Sequence, residues 1–391
     1  MFSNSSGRLA PAGRSRVFVA LALALIGALA FTAIAAHPAE AKRKKAKKPN
    51  TVKVMTRNLY LGADLGPAIN SSGAADFISK NGQILRDVDT NNFKVRVKGL
   101  ANEIKSVKPD LVGLQEVALW RTGEASLTPS ITGNYVASTV HVDYLKELMA
   151  QLNKGDKRYR VVKVQKEFDF EAPADYDNDP STGVATLGGE INGRLTMRDA
   201  IIARVGAGVQ TKNAKSGNFE TIYQPVISGI PVNVDRGWVS TDVKVRKGKW
   251  FRFVNTHLEA FGEPTIREAQ AKELIAAGGP MRSGKLPGVL VGDLNSDDDS
   301  VTGDDRLAYN ALKAGGLIDR GTQKPFSCCV KSGILTDDNG ARSDFDHYID
   351  HIMTNRGKAV KRLKAGVTGL KPVNGYWNSD HAGVWSNLRM P

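Results

Sequence analysis

The chain has 391 residues and 41% hydrophobic residues, with 54 Lys and Arg against 40 Asp and Glu. That length holds one large domain or two ordinary ones, and the apolar fraction supports a sizeable core, which excludes general disorder. Glycine without a three-residue period and only 2 cysteines exclude collagen-like and disulfide-scaffold chains. Of the net charge of +14, residues 42–49 carry +6 and residues 1–41 carry +2, so the rest is only mildly cationic.

Residues 1–16 hold three arginines and no acid; Val17–Ala36 is uncharged and rich in Ala and Leu; small-x-small sites follow at 33–35 and 39–41. This order predicts a secretory signal over 1–41, with a retained membrane anchor as the alternative. The basic stretch that follows, 42–50, is expected to be a solvated, disordered segment in preference to an anion-binding arm. Both readings place the protein outside the cytoplasm, secreted or attached to the cell envelope.

From Thr51 on, strand and helix patterns alternate, which argues for α/β layers. Residues 52–57 read as a strand. Phe93, Val97, Leu100, Ala101, Ile104 and Val107 fall at helical spacing and Pro109 ends that helix. Residues 111–115 are a short apolar strand, 142–153 a helix, 159–165 and 199–204 strands. Residues 238–245 and 250–258 form a hairpin, 265–278 a helix, 288–295 a buried strand, 306–316 a helix, and 348–355 and 382–388 late strands. The span 117–197 is the least regular and is expected to be an insertion, with its acidic stretch 167–179 a solvated surface loop. Cys328 and Cys329 are adjacent, and three outcomes stand open: a bond between the neighbours, a link between chains, or buried thiols.

Several strands end in a residue with metal or proton chemistry: Asn58, Glu116, His257, then Asp293 and Asn295. Asp350 opens one late strand, and Asp380 and His381 precede the last. Ligand sites in α/β architectures gather beyond strand ends, so these dispersed groups are expected to meet at one sheet edge. Oxygen donors dominate and no His/Cys cluster has zinc spacing, which favours Mg²⁺, with Mn²⁺ as substitute, and a phosphate ester as substrate. His347 and His351 read as structural or exposed, and His37 and His141 receive no role.

The stretches TRNLYLGAD (56–64), LVGLQEV (111–117), VNTHLEAF (254–261), VGDLNSD (291–297), YIDHIM (348–353) and SDHAGV (379–384) resemble the ordered motifs of the endonuclease/exonuclease/phosphatase superfamily. The resemblance covers about residues 52–389 and implies one domain over 51–391: an α/β four-layer sandwich of two mixed β-sheets flanked by helices. It implies Asn58, Glu116 and Asp380 at the metal site, with Glu116 a direct ligand. Asp293 and Asn295 would orient the attacking water and the phosphate. His381 would be the general base, buttressed by Asp350, and His257 would stabilise the oxyanion or help protonate the leaving oxygen. Arg198, Asp199 and Arg236 are secondary candidates, Arg236 to contact phosphate and Asp199 to steer His257. Tyr376 and Trp377, before the SDH motif, are candidates to meet a membrane or a base, with core packing as the alternative.

The expected function is a secreted nuclease-like phosphodiesterase working as a monomer without an obligate protein partner. Nucleic acid is favoured over phospholipid as substrate. The alternatives are a sphingomyelinase-like phospholipid phosphodiesterase, a phosphomonoesterase and, least favoured, a non-catalytic binding protein.

Overall fold

The computed structural model describes residues 50–391 except 180, 183–188, 283, 298–303, 323 and 356–358. The expected export signal and nearly all of the basic segment lie outside the described residues. Along the chain run β1 (Thr51–Asn58), α1 (Gly66–Ile69), α2 (Ala74–Thr90), α3 (Phe93–Val107), β2 (Leu111–Gln115), β3 (Leu119–Glu124), α4 (Thr128–Thr132), β4 (Thr139–Asp143) and α5 (Tyr144–Leu152). Then come β5 (Tyr159–Ala174), β6 (Ile191–Arg204), β7 (Val209–Asn218), β8 (Val226–Ile227), β9 (Ile230–Pro231), β10 (Gly237–Val245), β11 (Phe251–His257) and α6 (Pro264–Ile275). The last part holds β12 (Gly288–Asp293), α7 (Leu307–Ala314), β13 (Ile318–Asp319), β14 (Asp350–Thr354), β15 (Lys361–Thr368) and β16 (Gly383–Arg389).

Two mixed sheets result. The first runs β15-β16-β1-β2-β6-β3-β4, with β5 also paired to β6; the second runs β13-β14-β12-β11-β10-β7. Their facing sides share one core: Val52, Val54, Leu111, Ile201 and Leu388 meet Val239, Phe253, Val289, Val291 and Ile352. The outer face of the first sheet, with Met55, Leu114, Ala200 and Ile202, packs under Ile84, Leu85, Val97, Leu100 and Leu148 of α2, α3 and α5. The outer face of the second, with Val254, Leu290 and Met353, packs under Leu274, Ala308 and Leu312 of α6 and α7. Helix, sheet, sheet, helix is the four-layer sandwich. Central strands are buried on both faces, so they read as apolar runs instead of alternating ones.

The core between the sheets carries a polar tie. Gln115 Nε2 donates to Asn255 Oδ1 at 2.5 Å, and Asn255 Nδ2 donates back to the Leu114 carbonyl at 3.0 Å. Gly113 allows that approach, since a Cβ there would stand 2.3 Å from Asn255 Oδ1. Each buried amide thus finds partners in the opposite sheet, which fixes their register.

Two sequence expectations are corrected. The span 117–197 is largely regular: it holds β3 to β6, α4 and α5. The acidic stretch is not a solvated loop, because β5 continues through Ala174 and buries Glu167 and Glu171. Glu171 is satisfied by the Val136 and Ala137 N–H groups and by Asn192 Nδ2, all at 2.8–2.9 Å. Helix α2 was missed because Gly82 interrupts its pattern. Gly82 sits where the helix touches the backbone after β5: a Cβ there would fall 1.7 Å from the Asp175 carbonyl oxygen. Gly82→Ala should therefore destabilise by about 1–3 kcal/mol through overpacking, despite the roughly 1 kcal/mol that alanine gains in an open helix. Urea and thermal melts check this, and an unchanged or raised midpoint contradicts the contact.

Candidate active site

The strand register brings the polar ends to one edge. In the second sheet His257, Asp293 and Asp350 are lateral neighbours on β11, β12 and β14. In the first, Asn58 pairs with Gln115, which places Glu116 just beyond β2, and Asp380 and His381 lie just before β16. A cleft of about 300 Å³ opens there, lined among others by Glu116, Arg236, His257, Asp293, Asn295, Asp380 and His381.

Asn58 joins the two halves. Its Nδ2 donates to Glu116 Oε1 at 2.9 Å and to Asp293 Oδ2 at 3.0 Å, while its Oδ1 accepts the Tyr60 N–H at 2.8 Å. The Leu61 N–H donates to Glu116 Oε2 at 2.6 Å. Tyr60, Glu116 and Asn295 hold left-handed backbone, with φ of 58°, 52° and 46°. Such non-glycine positions cost energy and cluster where a side chain must be aimed. Asn295 returns its N–H to Asp293 Oδ1 at 3.0 Å and gives Nδ2 to the Leu258 carbonyl at 2.9 Å.

The two histidines are held in opposite states. Arg236 Nη1 lies 3.1 Å from His257 Nδ1. A guanidinium only donates, so Nδ1 accepts and the proton of the neutral ring sits on Nε2, 3.6 Å from Asp293 Oδ2. Burial, then the charges of Arg236 and His381, hold the His257 pKa well below 6.5. For His381 burial also opposes the charge, but Asp350, Asp380 and Asp293 reverse it and the pKa lies well above 6.5. Its Nδ1 meets Asp350 Oδ2 at 2.9 Å, leaving Nε2 at 3.6 Å from Asp293 Oδ2 and 3.9 Å from Asp380 Oδ1.

The carboxylates crowd one another. Burial, then the charge of Asp380, pushes Glu116 up to about 7. Burial pushes Asp293 up to about 6, with His381 pulling it down and Asp350 pushing it up. Asp380 is raised as well, chiefly by burial. Asp350 Oδ1 is buried without a hydrogen-bond partner. Buried oxygen donors that resist ionising together are the chemistry of a hard divalent-cation site, and the residues present fit one.

Of the secondary candidates, Arg236 stands at the cleft, 2% exposed, with Nε and Nη2 each 3.4 Å from Glu259. Arg236, not Asp199, hydrogen-bonds His257. Asp199 is fully buried beside Glu167 and His257 and accepts from Asn255 Nδ2 at 3.3 Å. Arg198 points away, its Nε on the Val117 carbonyl at 2.8 Å and its Nη2 on Asp143 at 2.6 Å, so it braces the turn after Glu116. Trp377 packs on Phe345 and donates to the Gly340 carbonyl, and neither it nor Tyr376 lines the cleft. His351 is buried, bound to Asp319 at 2.8 Å and the Ser296 carbonyl at 2.9 Å, as a structural histidine should be.

Sequence reasoning missed Glu259 and Glu167, and it left the state of the cysteines open among three outcomes. Glu259 lies two residues after His257, which the motif displayed without a role. Glu167 lay in the stretch read as loop; it is buried and pushed up to about 8. Cys328 and Cys329 are bonded to each other, with sulfurs 3.6 and 3.9 Å from His381 Nε2.

A fold with buried acids and histidines at one edge of paired mixed sheets defines a class of phosphate-ester hydrolases. The sequence profile of the endonuclease/exonuclease/phosphatase family matches residues 81–381, and the chain belongs to that family. Members are hydrolases acting on phosphate esters and are generally dependent on a divalent metal. A family protein from Bacteroides thetaiotaomicron is similar in structure, with 17% identity, a TM-score of 0.50, and 88% of this chain and 99% of that one covered. A mannosyl-6-phosphatase of the same organism shares 17% identity with a TM-score of 0.48 over 86% and 99%. D. rerio TDP2 complexed with a single-strand DNA product shares 14% identity with a TM-score of 0.47 over 87% and 100%. Among the curated proteins compared, none matches the chain.

The raised groups set a pH dependence. Glu116 at about 7 and Glu167 at about 8 hold protons that the unfolded chain has released, and His381 keeps one to higher pH than free histidine. In chelator, the thermal midpoint should fall as pH rises from about 7 to about 8.5. Added Mg²⁺ should raise it most at the upper end, where the carboxylates are ionised. A flat midpoint, or a larger Mg²⁺ effect at the lower end, contradicts the electrostatics.

Proposed function

We propose that this chain is an exported, Mg²⁺-dependent phosphodiester hydrolase. One observation carries the reading: Asn58 holds a half-buried glutamate and a buried aspartate together beside two histidines of opposite protonation. Export rests on the sequence of residues 1–41, and Mg²⁺ over other ions on the all-oxygen donor set. Glu116, Asn58 and Asp380 would hold the cation. Bound there, it supplies positive charge for a phosphoryl oxygen and offsets the carboxylates that keep His381 protonated.

The chain's own groups do the rest. His381, once neutral, takes the proton of an attacking water, with Asp293 orienting that water. Asp350 fixes the proton on Nδ1 and keeps Nε2 free to accept. Neutral His257 offers Nε2–H to a phosphoryl or leaving oxygen, and Arg236 holds that tautomer. Asn295 keeps an amide hydrogen for the scissile phosphate.

Nucleic acid is the substrate that the cationic balance favours. A phospholipid-type ester is the second reading. It is favoured by an apolar cavity beside the cleft and by the one lysine in the cleft wall, Lys331, being paired with Asp346 at 3.3 Å.

His381→Ala should lower kcat by about 10²–10⁴-fold and also lower the melting midpoint, since buried Asp350 loses its partner; in the folded variant, a loss below about tenfold removes the base role. Asp350→Asn should move the acid limb of kcat/KM to lower pH, because the Asp350 charge raises the His381 pKa. A limb that stays in place breaks the link between the two residues. With plasmid DNA, RNA, sphingomyelin liposomes and a small phosphodiester, each with Mg²⁺ and with chelator, metal-dependent DNA cleavage that falls steeply with salt supports the nuclease reading. Turnover on liposomes alone supports the second, and turnover of none in Mg²⁺ or Mn²⁺ defeats both.

A further inference from the structure

The cleft has an apolar neighbour. A cavity of about 90 Å³ lies beside it, walled by Leu65, Phe77, Trp120, Phe168, Phe170 and Phe261. Leu65, Met197, Arg236 and Phe261 line both spaces, so the two adjoin at the edge where His257 and Arg236 stand. The cavity's only polar side chains are Asn81 and Arg236. Asn81 Nδ2 donates to the Pro173 carbonyl at 3.2 Å, and Arg236 is held by Glu259 and His257. The wall is also tied to the candidate metal ligand: Trp120 Nε1 donates to the Leu61 carbonyl at 2.8 Å, and the Leu61 N–H donates to Glu116.

We propose that this cavity receives a hydrocarbon chain esterified to the substrate's phosphate, so that the enzyme is selective for alkyl phosphodiesters. The inference rests on the phosphodiester-hydrolase reading and, within it, takes the phospholipid-type ester over nucleic acid as the substrate class. A nucleobase would bring several ring N–H and C=O groups against a wall whose polar side chains are Asn81 and a partly engaged Arg236, losing on the order of tenfold in affinity for each group left unpaired. A methylene chain meets no such penalty and gains about fourfold for each CH₂ fully buried. An engineered apolar cavity of about 150 Å³ takes benzene, so the space here suits a segment of roughly three to four carbons. The reaction is unchanged: water oxygen bonds to phosphorus, one ester P–O bond breaks, and the leaving oxygen ends with the proton that the water gives up.

The residues that build this cavity come from α1, α2, β3, β5, β6 and the segment carrying β8 and β9. Much of it is the region whose sequence gave no regular pattern. Phe168 and Phe170 sit in the stretch that read as an acidic loop, with their rings stacked at 5.9 Å between centroids. They face apolar space beside a site for a doubly esterified phosphate, which is what an amphiphilic ester presents.

The test is a series of O-alkyl phosphoethanolamines, from methyl to octyl, hydrolysed by the mature chain in Mg²⁺ and followed by chromatography. The ethanolamine end is polar, so only the alkyl group competes for the cavity. The ratio of kcat/KM for the hexyl and methyl esters should exceed tenfold. Ala172→Phe and Ala68→Phe, which fill the space from β5 and α1, should each flatten that ratio; two positions are used so that one folding failure does not end the test. A wild-type ratio near one overturns the proposal while leaving the phosphodiesterase reading standing. If no ester is cleaved, the parent reading fails, and calorimetry of hexyl against methyl phosphate still decides the cavity: tighter hexyl binding by tenfold upholds it and equal binding overturns it. Phosphatidylethanolamine vesicles form a further arm. Cleavage there as well as in solution marks a membrane lipid as the source, and cleavage in solution alone a free ester.

Discussion

One carboxamide connects everything that the site requires. Asn58 ends β1 in the first sheet, yet its Nδ2 reaches Glu116 of the same sheet and Asp293 of the other. A half-buried and a buried carboxylate are kept at a shared donor. Each hydrogen bond from a neutral amide is modest, but loss of the amide would leave the buried Asp293 oxygen unsatisfied, which costs about 1–3 kcal/mol. The polar tie of Gln115 and Asn255 a few residues behind it holds the sheets in the register that this requires.

The electrostatics then sort the protonation states. One histidine is kept neutral by burial and a neighbouring arginine; the other is kept charged by three acids in spite of burial. Pairs of titratable groups pushed apart by their surroundings are the pattern from which acid and base roles are read. Glu116 and Asp380 meet no Lys or Arg among the described hydrogen bonds and ion pairs; the charge set against them is that of His381, whose Nε2 lies 3.9 Å from Asp380 Oδ1. That donor set suits the divalent metal on which members of the family generally depend, and phosphate esters are what those members hydrolyse.

Much of this was legible before any coordinates. Leu111–Gln115 and Gly288–Asp293 are uninterrupted apolar strands with a polar residue at the end, because central strands are covered on both faces and chemistry waits at the edge; Val52–Arg57 mixes Val52, Val54 and Met55 with Lys53 and Thr56 and still ends at Asn58. Strand parity also separated Asp350, which faces His381, from His351, which faces Asp319. Other features were hidden for physical reasons. Tertiary contact at Gly82 masked α2. In 167–174 charged residues are buried by partners distant in sequence, and local composition cannot report that. Arg236 stood as a candidate phosphate contact, and only the structure reveals its place against Glu259 and His257. Trp377 looked available, but its indole fills a small core with Phe345 and Val330.

The central claim is a divalent cation held where Glu116, Asn58 and Asp380 converge. Crystals of the mature chain soaked in Mn²⁺ test it most directly through anomalous scattering. The account predicts one strong peak bonded to a Glu116 carboxylate oxygen at about 2.1 Å. No peak in the cleft, or one only at the separate acidic group of Asp175, Asp177 and Glu190, contradicts it.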